Sequence, residues 1–177
     1  MKKFILLVLM CTVIFVVYNG KVYSYSNFQP RTIEESYLEI GYKSVGEALR
    51  DLEKHYKQDL KLPLRVPPVV FTHVLARFNE DSHDHFEMEY INEKSNMNNF
   101  LINVAFKDES KFKILEKEVI KEYRLNGGNT AYLLSIGGAN LLVFEIDNLQ
   151  YRFSVDKRMS EKITPEILVQ IANSIDY

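Results

Sequence analysis

VIKEYRLNGGNTAYLLSIGGANLLVFEIDNLQYRFSV, residues 119–155, decides the fold. Asn126-Gly127-Gly128-Asn129 reads as a turn, because positive φ costs glycine nothing and asparagine little. Gly137-Gly138 and Asp147-Asn148 punctuate the same stretch. They leave strands near Val119–Leu125, Thr130–Ser135, Leu141–Ile146 and Gln150–Val155. Strands this close in sequence can pair only antiparallel, since a parallel pair needs a long crossover between its members.

Upstream, the period of two continues. Phe100, Ile102, Val104 and Phe106 alternate with Asn103 and Lys107, and Phe86, Met88 and Tyr90 face inward against Glu87 and Glu89. Val70, Thr72, Val74, Ala76 and Phe78 alternate with Phe71, His73, Leu75 and Arg77, which predicts a strand beginning near Val70. Between Ser110 and Ile120 the period is mixed and no element is predicted. Pro63, Pro67 and Pro68 end any helix before the strands and force an extended connection.

Two capping boxes precede the prolines: Thr32-x-x-Glu35 and Ser44-x-x-Glu47. After the second, Val45, Leu49, Leu52 and Tyr56 form one apolar stripe on a helix to about Gln58, whose solvated face carries Glu47, Arg50, Asp51, Lys54 and Lys57. At the other end, Thr164-Pro165-Glu166 opens a helix with Ile167, Leu168, Ile171, Ala172 and Ile175 on its apolar face. The expected architecture is α+β: an antiparallel sheet of about six or seven strands with an N-terminal and a C-terminal helix packed on it. A hydrophobic fraction of 46%, with 11 Tyr and 11 Phe, supplies the core and excludes wholesale disorder.

Phe4–Tyr18 is an uncharged apolar run behind Lys2 and Lys3. It reads as an export signal with cleavage sites at Val22-Tyr23-Ser24 or Ser24-Tyr25-Ser26. Residues 1–26 are therefore expected to be a signal peptide, with an uncleaved N-terminal anchor as the alternative, and residues 27–177 a single extracytoplasmic α+β domain. The run's 15 residues are short against the roughly 20 that span a bilayer, which favours cleavage and secretion over anchoring to the cell membrane. Cys11, the only cysteine, follows Met10 rather than the small residue of a lipobox, so the mature chain is expected to hold no thiol or disulfide. Cleavage removes three lysines and no acid, leaving 19 basic against 24 acidic residues. A domain of that sign is repelled by phosphate backbones and anionic lipid, so nucleic acid is excluded as a partner and membrane contact is expected only through the N-terminal segment.

Asp81-Ser82-His83-Asp84-His85 is the densest group of metal-ligand types. His83 and His85, two apart on an extended segment, project to one side, where Asp81 or Asp84 assists in holding a zinc or copper ion weakly. A polar hairpin turn is the competing reading of these residues. His73 reads as a half-buried strand residue and His55 as a neighbour of the helix stripe. The chain contains no G-x-S-x-G, Walker A, dinucleotide fingerprint, H-E-x-x-H or paired C-x-x-C, and strand patterns follow both Gly-Gly pairs where a phosphate loop would need a helix. No cofactor and no enzyme activity are expected.

Ile40-Gly41-Tyr42, Leu62-Pro63, Pro67-Pro68, Leu125-Asn126-Gly127, Ala131-Tyr132, Leu142-Val143-Phe144-Glu145 and the closing Thr164–Ile175 segment together resemble a family of small exported Firmicute proteins. Its C-terminal domain, of no assigned function, also occurs at the ends of anti-sigma-like chains. The resemblance covers the last third closely and the rest loosely. It implies an extracytoplasmic α+β domain, sometimes likened to lipoprotein-carrier folds, and brings no site residues. A sigma-binding domain ahead of it is not seen here, which speaks against sigma regulation. The functional expectation is a non-catalytic extracytoplasmic binding or interaction module for a protein or small-molecule partner. The alternatives are a carrier of a small apolar or lipid-like ligand between helix and sheet, and weak metal binding at the His83/His85 turn.

Overall fold

The computed structural model describes residues 31–79, 84–95 and 99–175. Both capping boxes form as the sequence requires, each hydroxyl accepting from the backbone N–H three residues on and each glutamate accepting from the cap's own N–H. They open α1 (Ile33–Glu39) and α2 (Val45–Tyr56). Lys57 at φ 55° stops α2. The strands are β1 (His73–Asn79), β2 (His85–Ile91), β3 (Phe100–Ala105), β4 (Val119–Arg124), β5 (Thr130–Ile136), β6 (Ala139–Ile146) and β7 (Leu149–Asp156), and α3 (Pro165–Ala172) follows with proline in its first turn.

All seven strands form one antiparallel sheet in the order β1-β2-β3-β7-β6-β5-β4. Two meanders lie back to back, joined where β3 pairs with β7. Within the second, Gly137 and Gly138, at φ 59° and 84°, make the two-residue turn between β5 and β6, and Asp147 and Asn148 adopt the same left-handed pair between β6 and β7. Such turns match the natural twist of an antiparallel ribbon.

The expected alternation holds. Phe86, Met88, Ile102, Val104, Tyr151 and Phe153 are buried on one face, and Ala48 and Leu52 of α2 with Leu168 and Ile171 of α3 join the same apolar cluster. Each such side chain contributes about 1.5–3 kcal/mol on leaving water. Phe153 sits edge-on to Phe100 and Phe144, with ring centroids 5.4 and 5.1 Å away.

One expectation needs correction. The first strand begins at His73, not Val70: Val70 is 70% exposed, while Phe71 packs on Tyr90. The prolines hold the preceding chain in an extended path that docks elsewhere, with the Leu64 N–H donating to the Ser174 carbonyl at 3.2 Å and the Tyr151 hydroxyl to the Lys61 carbonyl at 3.0 Å. Between Ser110 and Ile120, where the period predicts no element, the chain belongs to a connection over residues 106–118 that crosses from β3 to the far edge of the sheet with two short 3-10 turns, Asp108–Ser110 and Glu116–Glu118. Phe112 and Ile114 from it pack on Leu134, Leu141 and Val143, which lie on the face away from α2 and α3.

Candidate functional site

Strand parity dictates what that second face carries. Arg77, Glu87, Asn103 and Arg152 are paired in register across β1, β2, β3 and β7, so they form one row over four adjacent strands. Glu89, Leu101 and Ser154 make the row beside it. All of these are half-buried.

One wall of this trough comes from the N-terminal segment. Lys43 bridges to Ala76 at the outer edge of β1, with N–H···O distances of 2.8 and 3.0 Å in the two directions. Alternation across that bridge sends Lys43 to Asp51 of α2 at 2.6 Å and the buried Tyr42 to the opposite face, over Glu87. Tyr37 of α1 meets the Tyr42 ring edge-on at 4.9 Å. The opposite wall is Phe112, whose backbone N–H donates to Gln150 Oε1 at 2.6 Å while its carbonyl accepts from Gln150 Nε2 at 3.1 Å. Lys111, 3.4 Å from Glu145, ties the same segment to β6.

Charge in the trough is largely neutralised within it. Burial alone would push the Glu87 carboxyl up, but hydrogen bonds from His85 and Tyr42 and the Arg77 guanidinium overcome it and hold the group at about 2. Arg77 Nη2 stands 3.3 Å from Glu87 Oε2, its guanidinium lies 4.5 Å from the Tyr42 ring centroid, and its Nη1 donates to the Ile40 carbonyl at 3.1 Å. For Glu89, burial and the neighbouring Glu87 charge raise the carboxyl against a hydrogen bond from the Tyr37 hydroxyl. Burial and these acceptors push both tyrosine hydroxyls up, so they stay protonated as donors. Arg152 differs from the rest: its guanidinium carbon lies 5.6 Å from the Phe112 ring centroid, and burial pulls the group down against the Glu87 charge.

Of the four residues grouped as metal ligands by sequence, Asp81 and His83 lie outside the described residues. Asp84 and His85 turn to different neighbours. Asp84, at φ 38°, is buried against the Lys107 ammonium, whose hydrogen bond draws its carboxyl below the usual range. His85 enters the trough, with Nε2 3.4 Å from Glu87 Oε2 and 3.3 Å from Asn79 Nδ2. Among the described residues no three His, Cys, Asp or Glu side chains are grouped to hold a metal. His73 accepts or donates at 2.8 Å to the Thr72 hydroxyl, as a half-buried strand residue should, and His55 lies 5.4 Å from Phe78.

The trough is the feature that sequence reasoning missed. A signal for it existed: Leu101, Leu141 and Val143 are apolar at positions whose strand neighbours already face the core, so both faces of the central strands expect cover. A separate cleft of about 560 Å³, lined by Ile114, Glu116, Val119, Glu122 and Tyr132, lies near β4. Its charged lining residues are both acids, with no opposite charge to orient a ligand, so the trough is the better candidate. Comparison with protein-family models, curated proteins and solved structures finds no match. No helix among the described residues is long and apolar enough to cross a membrane.

Proposed function

We propose that this chain is a non-catalytic binding module that works outside the cytoplasm and seats its ligand or partner in the trough on the sheet face away from α2 and α3. One observation carries the reading: a half-buried row of charged and amide side chains, Arg77, Glu87, Asn103 and Arg152, runs between two aromatic walls. Burying charge is costly unless it is paired, and a fold that concentrates such groups where apolar residues would pack better is using them for recognition. The binding role is favoured over catalysis because Glu87, the acid within the row, is engaged by His85, Tyr42 and Arg77, partners that hold it charged rather than poise it. The carrier alternative needs space between α3 and the sheet, where Leu168, Ile171 and Ile175 pack with Phe144 and Tyr151.

Location and binding are tested separately. Fractionation of the native host with mass spectrometry of the N-terminus should find the chain outside the cytoplasm, starting after the 22–26 region. An intact Met1 in the membrane fraction supports the anchored alternative, and cytoplasmic recovery refutes the location. For binding, a fragment collection screened by NMR against the purified full-length chain should give hits whose shifts centre on β2, β3 and β7. Hits confined to the Tyr132 cleft would overturn the assignment.

A further inference from the structure

We propose that Arg152, Asn103 and Ser154 form an oxyanion subsite on the trough floor, seating a carboxylate or phosphate group of a small ligand whose apolar part rests on Leu101 and Phe112. This inference rests on the trough being the binding surface and adds the chemistry of what it takes.

Register brings the three polar groups together. Asn103 pairs with Arg152 and Leu101 with Ser154 across the β3–β7 ladder, so amide, guanidinium and hydroxyl occupy neighbouring positions on one face. Adjacent strands lie about 4.8 Å apart, within the reach of a single bound oxyanion. All three side chains are half-buried, and none makes a hydrogen bond or ion pair with another described residue. That sets them apart from their surroundings, where Arg77 has Glu87, Glu87 has Tyr42 and His85, and Glu89 has Tyr37.

Arg152 feels the Glu87 charge but makes no ion pair with it, and a half-buried guanidinium whose N–H groups have no hydrogen-bonded acid is an unfavourable arrangement. Its donors point to an acceptor from outside. The Phe112 ring centroid lies 5.6 Å from the guanidinium carbon, a cation–π distance, and no described residue accepts from the Arg152 N–H groups, the groups with which arginine takes carboxylate or phosphate through two parallel bonds. Gln150 fixes the Phe112 backbone at both its N–H and its carbonyl, so the ring is held in place before a ligand arrives. The Asn103 amide and Ser154 hydroxyl supply further neutral donors, and Leu101 offers an apolar floor. The fixed negative charge of Glu87, paired directly with Asn103 and two strands from Arg152, disfavours a second anionic group at that end, so a ligand with one compact oxyanion held on the Arg152 side fits best.

The test is an NMR titration of the purified full-length chain with benzoate, inorganic phosphate and benzylamine. Benzoate or phosphate should give saturable shifts at the amides of Asn103, Arg152 and Ser154, and binding should weaken with added salt. Arg152→Gln should cost about tenfold or more in affinity, the loss of a charge-assisted pair of bonds. Benzoate binding more tightly than phosphate identifies a carboxylate source, and the reverse a phosphate source. An unchanged affinity in Arg152→Gln overturns the subsite. If that variant does not fold, an Asn103→Ala/Ser154→Ala variant carries the test, and unchanged affinity there overturns it equally. Benzylamine shifting these amides while neither anion does refutes the oxyanion assignment and leaves the trough reading standing. No response at the trough to any probe removes both.

Discussion

Replacing Glu87 by glutamine tests whether the trough's ion pairs are as tightly coupled as their geometry implies. The carboxyl sits between the Tyr42 hydroxyl, Arg77 Nη2 at 3.3 Å and His85 Nε2 at 3.4 Å, and these partners hold it at about 2 instead of 4.5. Because the folded value lies below the unfolded one, the stabilisation is present above about pH 4.5 and is lost as pH falls toward 2. Taken in full the difference is worth ~3 kcal/mol at neutral pH. With 14% of the side chain in solvent, about 2 kcal/mol is expected. Denaturant unfolding followed by far-UV circular dichroism should therefore find Glu87→Gln about 2 kcal/mol less stable than wild type at pH 7, with roughly half that gap remaining near pH 3. Both proteins keep Glu89, whose carboxyl is relieved of the Glu87 charge in the variant, so the difference curve reports Glu87 together with its coupling to Glu89. A gap that stays constant from neutral to acid pH, or no gap at all, refutes the electrostatic reasoning. Glu89 runs the other way: its folded value is raised, so the charged form costs stability at neutral pH, and Glu89→Gln should stabilise the protein there with the gain vanishing below about pH 4.5.

Phe153→Ala empties the centre of the helix-covered face between Phe100 and Phe144 and should cost about 3–5 kcal/mol, a large part of a small domain's stability, as read by denaturant midpoint. Gln150→Leu keeps the bulk but strips the Phe112 N–H and carbonyl of their partners; the expected loss is about 1–3 kcal/mol, with hydrogen exchange accelerating at residues 111–114 and little change in β5 and β6. Zinc or copper titration should show micromolar or weaker binding, because His85 must leave Glu87 and Asp84 must leave Lys107 before either can serve an ion. Identical isotherms for wild type and His83→Ala/His85→Ala reduce the turn to a hairpin connection.

Local chemistry made much of this fold legible. Hydroxyl and glutamate three apart wrote the starts of α1 and α2, a glycine pair wrote the β5–β6 turn, and a period of two assigned Phe86 and Met88 to one face and Glu87 and Glu89 to the other. These features depend on residues within a few positions of one another, where sterics and alternation suffice. The neighbours on each face were not legible. Asn103 meets Arg152 only because residues 106–118 carry the chain across the sheet, so that the second meander returns β7 to the side of β3. Tyr42 reaches Glu87 only because a single bridge at Lys43 sends the chain over the edge of β1. Parity tells which face a side chain takes, but strand order is set by burial summed over contacts distant in sequence. The trough is a property of that order, and the sequence alone determined its ingredients without deciding that they would meet.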